Sequence, residues 1–214
     1  MIDAEGYMAA QRSDAGARGG QRSGLERQVR ELVSSVLNGV LDEPPSSSAP
    51  AGGPESSPGG GADCIAIGSD HGGFELKQAL AAHLVDAGWA VDDCGTHSTD
   101  ACDYPEFAHA VARRVGTGKC SVGIVVDGAG IGSAMVANKI PRVRAAACYD
   151  LSTARNSREH NRANVLTLGA GLTGSALAWQ IVQEWLATPW GGDRHLRRVA
   201  LINEIEDQYA RTDA

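Results

Sequence analysis

Asp127 closes a short apolar run at positions 122–126 and is followed by Gly128, Ala129, Gly130, Ile131, Gly132 and Ser133. The run reads as a strand buried on both faces of a parallel sheet. The glycines admit backbone angles closed to other residues. The small-residue segment 133–138 can open a helix whose free N–H groups point back at the loop. Such a loop is a cradle for an anion, with a carboxylate at its lip. Three readings compete. A dinucleotide fingerprint would use Gly128, Gly130 and the later acid Asp150, but the third glycine comes one position early and Pro141 stops the helix within about two turns. A structural reading makes Asp127 a cap and the glycines turn formers. A functional reading makes the loop a ligand site.

Other residues with chemical potential are spread along the chain. Ser69-Asp70-His71-Gly72-Gly73 follows an apolar run; Asp70 can cap the next helix or bind a ligand, and His71 can sit exposed or act. His97, Asp100, Cys102 and Asp103 fall within seven residues, but their spacing matches no closed zinc set, so a loop with Pro105 starting a helix is the better reading and no metal site is expected. Ser157-Arg158-Glu159-His160-Asn161 precedes another apolar run, where His160 is either a cation at a helix C-terminus or, beside the ligand edge of a sheet, a catalytic group. Arg194, Arg197 and Arg198 follow Gly191-Gly192, a basic cluster suited to a small phosphorylated ligand.

These residues need a frame, and the apolar pattern supplies one. From Asp63 onward strands alternate with helices: strands at 64–68, 89–94, 122–126, 143–148 and 163–168, helices at 74–87, 107–115, 133–138, 151–159, 174–187 and 194–209. Strands separated by helical segments imply right-handed crossovers and an α/β, doubly wound, Rossmann-like parallel five-stranded sheet with helices on both faces. Ligands then sit at the carboxyl ends of the strands.

The 214 residues carry a net charge of -7 and a pI near 5.3, which argues against nucleic acid as a partner. Five scattered cysteines, Cys64, Cys94, Cys102, Cys120 and Cys148, lack a paired spacing and suggest reduced thiols in a cytoplasmic protein. No apolar run is long enough to span a bilayer and residues 1–24 lack the apolar core of a signal peptide. Residues 1–24 read as disordered, 25–42 as an amphipathic helix opened by a Ser23/Glu26 capping box, 43–62 as a Pro/Gly/Ser tether, and 63–214 as the folded domain. A helix of that length cannot bury its apolar stripe alone and wants a partner. It either folds back, pairs with its copy, or docks on another protein. Its polar face lacks the basic excess of a membrane-binding helix.

Five segments carry a family resemblance: Ser-Asp-His-Gly-Gly-Phe-Glu-Leu-Lys from 69, Asp-Tyr-Pro-Glu-Phe-Ala from 103, Gly-Ala-Gly-Ile-Gly from 128 with Ala-Asn-Lys from 137, Ser-Arg-Glu-His-Asn from 157 with Ala-Asn-Val-Leu-Thr-Leu-Gly from 163, and Gly-Gly-Asp-Arg-His-Leu-Arg-Arg-Val from 191. In this order they resemble the motifs of ribose-5-phosphate isomerase B and its galactose-6-phosphate isomerase relatives, over about residues 63–206. The resemblance implies an aldose–ketose isomerase of a sugar phosphate working without metal or organic cofactor, in a homodimer whose active sites borrow residues from the partner subunit. It assigns sugar hydroxyls to Asp70 and Asn161, phosphate to His71, Arg194 and Arg198, and the sugar pocket wall to Tyr104. Ring opening falls to His160, with Arg158 supporting it, and the negative oxygen to the amides around Gly128, Gly130, Ile131 and Gly132. The amino-terminal helix and tether resemble the encapsulation peptides that deliver enzymes into bacterial microcompartments, making a shell or cargo protein the partner of residues 25–42.

The chain departs from the family at the base. Many members place a cysteine where Asp127 stands and a threonine where Ala129 stands, and another branch places a glutamate at the position of Ser133. Asp127 is then the expected base, although an aspartate is a weak one at neutral pH unless burial strengthens it. The hydroxyl missing at Ala129 removes a donor to the enediolate, a loss of a few kcal/mol where no amide replaces it. The alternative is a catalytically silent phosphosugar-binding or scaffold protein in which Asp127 caps its loop.

Overall fold

The computed structural model describes residues 64–210. The readings made for residues 1–62, including the amphipathic helix and its tether, lie outside the described residues. The elements in chain order are β1 Cys64–Ser69, α1 Phe74–Asp86, β2 Ala90–Asp93, α2 Tyr104–Gly116, β3 Val122–Asp127, α3 Ile131–Ala137, β4 Ala145–Ala147, α4 Leu151–Glu159, β5 Val165–Gly169, α5 Ser175–Ala187 and α6 Asp193–Ala210. The five strands form one sheet of order β2-β1-β3-β5-β4, and every pairing is parallel. The α/β doubly wound architecture expected from the sequence is the one observed.

Alternation along the strands sends side chains to two cores. Ile65, Ile67, Ile124, Val126, Leu166 and Leu168 face α1 and α5 through Leu76, Leu80, Leu84, Ile181 and Trp185. Ala66, Val125 and Val165 face α2 and α3 through Ala108, Val111, Val115 and Ala137. The central strand β3 is buried at all six positions, as its unbroken apolar run requires. The helix expected from 107 begins earlier, at Tyr104, because Pro105 occupies its first turn, where a missing N–H costs nothing.

The expectation of reduced, unpaired thiols fails for one pair: Cys64 and Cys120 form a disulfide across 56 residues of sequence. Spacing along the chain could not reveal it, because the sheet order makes the entrance of β3 the spatial neighbour of β1. Cys94, Cys102 and Cys148 are free.

Lys77 of α1 is fully buried. Its ammonium reaches both carboxylate oxygens of Asp93 at 2.7 Å and the carbonyl of Thr96 at 2.8 Å. The pair ties α1 to the carboxyl end of β2. Removing one partner leaves the other charge stranded, so Asp93→Asn should lower stability to urea by about 3–5 kcal/mol, measured as a shift of the unfolding midpoint.

Candidate active site

The chain turns to opposite sides of β1 on leaving β1 and β3, which opens a cleft at the carboxyl ends of these neighbouring strands. Asp70 and His71 come from the turn after β1, and the glycine loop comes from the turn after β3. Asp70 Oδ1 accepts the N–H of Gly73 at 2.8 Å, which fixes the entry to α1. His71 is exposed, with Nδ1 at 3.2 Å from both the carbonyl oxygen and the amide nitrogen of Cys102. The Cys102 thiol, which carried no role in the sequence reading, lies 4.0 Å from the same nitrogen. Tyr104, at the start of α2, lays its ring over Gly132, where an added Cβ would meet ring carbons at 2.6–2.7 Å. Four of the expected sugar-binding positions, Asp70, Tyr104, Gly130 and Gly132, thus collect at one edge of the sheet.

Gly130 adopts φ 79°, and a Cβ there would stand 3.0 Å from the backbone of Leu168. This turn brings the loop amides around Asp127. The carboxylate is 5 % exposed. Its Oδ1 accepts N–H groups from Ala129 at 2.8 Å and from Gly130. Its Oδ2 accepts the Ser133 N–H at 3.0 Å and the Ser133 hydroxyl. The cradle therefore already holds an anion, and the anion is the protein's own. Two of the amides in the stretch expected to meet a substrate oxygen, those of Ala129 and Gly130, are committed to Asp127. Residues 127 and 133 are thus in direct contact. Thr167 donates to the Gly130 carbonyl at 2.7 Å and Tyr149 to the Ala129 carbonyl at 3.2 Å. Both brace the loop, and neither was assigned a role in the sequence because β5 and the turn after β4 touch it only in the folded chain.

The second group of expected residues lies elsewhere. α4 returns the chain from the carboxyl edge to the amino edge, so His160, its C-cap, stands before the start of β5. The register Gly123↔Val165 to Asp127↔Gly169 then separates it from Asp127 by at least roughly 13 Å of strand rise. The expectation that His160 flanks the ligand edge of its own sheet is corrected: a crossover helix ends at the other edge.

There His160 stacks on His195, ring centroids 4.3 Å apart and 15° from parallel. His195, missed as a site residue, is 4 % exposed and its Nε2 accepts from Arg194 Nε at 2.9 Å. Burial, then the neighbouring His160, Arg194 and Arg198, hold its pKa below the ordinary histidine value. Arg158 donates to the Ala163 carbonyl at 2.7 Å and lies over Trp185, with burial lowering its pKa from the usual arginine value. Asn161 takes its main-chain carbonyl to Arg144 and lines, with Asn156, Arg144 and Ala145, a cavity of about 610 Å³ against the edge strand β4.

Residues 65–202 match the ribose/galactose isomerase family model. The chain belongs to this family. It is 43 % identical over 144 residues to ribose-5-phosphate isomerase B of Escherichia coli, covering 67 % of this chain and 97 % of that protein. It is 42 % identical to the protein of the same name from Mycolicibacterium paratuberculosis, covering 66 % and 91 %. Among solved structures, ribose-5-phosphate isomerase B from Clostridium thermocellum aligns at 48 % identity and a TM-score of 0.67 over 68 % of this chain and 98 % of that one. The enzyme from Mycoplasma genitalium with bound ribulose-5-phosphate aligns at 36 % identity and a TM-score of 0.67, covering 69 % and 99 %. Family membership makes the chain an aldose–ketose isomerase by type, and the isomerase fold accounts for nearly all of the described residues.

The four donors around Asp127 give a structural role that survives whatever its chemistry. In Asp127→Asn the carboxamide N–H₂ would face either the Ser133 N–H or those of Ala129 and Gly130, donor against donor. A loss of about 1–3 kcal/mol in urea unfolding is expected.

Proposed function

We propose that the chain interconverts ribose 5-phosphate and ribulose 5-phosphate through an enediolate. The observation that carries this is identity above 40 % across nearly the whole length of ribose-5-phosphate isomerases B. The sugar-contacting positions Asp70 and Tyr104 gather at the cleft of the sheet beside it. His160 first opens the furanose: its proton passes to the ring oxygen as the C1–O4 bond breaks, and the proton of the anomeric hydroxyl returns to the imidazole. Asp127 then takes the proton from C2 while the electron pair moves to O1, and returns it to C1; the proton of the C2 hydroxyl ends on O1. Asp127 can do this only by giving up one of its loop donors to the substrate, and the released amide then faces the enediolate oxygen. His71, Arg194 and Arg198 hold the phosphate and Asn161 a sugar hydroxyl.

His160 and Asp127 occupy opposite edges of one sheet, so a complete site takes Asp70, His71, Tyr104 and Asp127 from one copy and His160, Asn161, Arg194 and Arg198 from a second. We further propose that residues 25–42 dock on a microcompartment shell or cargo protein, a reading supported by the apolar stripe in that segment and the Pro/Gly/Ser stretch after it. A second reading, a phosphosugar binder without turnover, draws on one observation: the four donors that already occupy Asp127.

Incubation with ribose 5-phosphate in heavy water separates the two. Turnover places solvent deuterium at the carbon next to the carbonyl, and Asp127→Asn abolishes it. Ligand binding with neither exchange nor ketose establishes the silent protein instead. The shared site has its own test. Co-expressed Asp127→Asn and His160→Gln chains, each inactive alone, should recover about a quarter of full activity, because half the dimers are mixed and each mixed dimer holds one intact site. No recovery places both groups on one chain's site.

A further inference from the structure

We infer that Asn156 is a positioning residue that fixes which nitrogen of His160 carries the proton, so that the imidazole meets its substrate through Nε2. The inference rests on the ring-opening role proposed for His160. Asn156 stands one turn before His160 on α4. Its side-chain amide nitrogen lies 2.8 Å from His160 Nδ1, and its main-chain carbonyl accepts the His160 N–H at 2.9 Å. An amide nitrogen can only donate, so Nδ1 is the acceptor and the single proton of the neutral ring sits on Nε2.

The remaining surroundings leave that edge as the working one. One face of the ring is covered by the buried His195. The side chain is one-third exposed, and Nε2 stands 3.8 Å from Glu159 Oε1, beyond hydrogen-bond length. The groups facing the stacked pair are Glu159 from α4 and His195, Arg194 and Arg198 from α6. Of these, none hydrogen-bonds Nδ1; that contact belongs to Asn156 alone among the described bonds.

Asn156→Leu removes the donor, and Asn156→Asp replaces it with an acceptor that draws the proton to Nδ1 and favours the imidazolium. ¹⁵N spectra of histidine-labelled full-length protein, with the His160 signals assigned through His160→Gln, read the proton position directly. The unaltered chain should show Nε2 protonated and Nδ1 bare, Asn156→Leu a mixture of tautomers, and Asn156→Asp a proton on Nδ1. With ribose 5-phosphate, Asn156→Leu should lose about tenfold in kcat with KM within about twofold, and Asn156→Gln should restore part of it. A proton on Nδ1 in the unaltered chain, or a tautomer and kcat indifferent to Asn156→Leu, would overturn the inference. Tautomer changes in the two variants, with no turnover of ribose 5-phosphate by the unaltered chain, would sink the isomerase reading and the catalytic use of the tautomer, while the proton placement by Asn156 would stand.

Discussion

All five strands of the sheet point the same way, and that polarity decides where every functional group can stand. Residues that follow a strand gather at one edge, and residues at the end of a crossover helix gather at the other. Asp70, His71 and the glycine loop belong to the first class, His160 and Asn161 to the second. No rotamer change can bring His160 to Asp127 across the length of β5. A chain with this topology either uses the two edges for separate purposes or closes its site with another copy, and the function proposed above takes the second.

The glycine loop shows how one substitution can change what a scaffold offers. A ring of N–H groups at a helix start favours an anion, and where a neutral or thiol side chain stands at its entry the ring is left for a ligand. With Asp127 at that place the ring closes on the protein's own carboxylate, and Ser133 completes the closure with its hydroxyl. The loop gains order from this. Its chemistry then depends on how easily a substrate oxygen can exchange for the internal one, a competition between two negatively charged oxygens for the same donors.

Much of this was legible from the sequence. Among the described residues the strand and helix periodicities located every element to within a few residues, since buried strands need continuous apolar runs and crossover helices need a stripe, and both patterns are strong between Cys64 and Ala187. The positions of Asp70 and the glycines followed from the rule that ligands collect after strands, and that of Tyr104 from the family resemblance. His160 was misplaced because nearness to a strand along the sequence does not tell which end of the strand a residue borders, and His160 stands before the start of β5. The saturation of Asp127 was visible only as one of two open readings, since a carboxylate before a glycine loop can cap or react, and the choice rests on where Ser133 and the loop amides point. Tyr149 had no local signal, and Thr167 and His195 lay inside resembling segments without a role of their own; each acts on a segment about 20 to 37 residues away in sequence.

The disulfide between Cys64 and Cys120 sits at the first described residue of the domain, where a long amino-terminal segment joins it. Tension arriving along that segment meets a covalent crosslink to the entrance of the central strand before it reaches the ladder that holds β1. The segment can then be tugged or anchored without unzipping the sheet, because the load passes to β3 through a covalent bond rather than through the strand ladder.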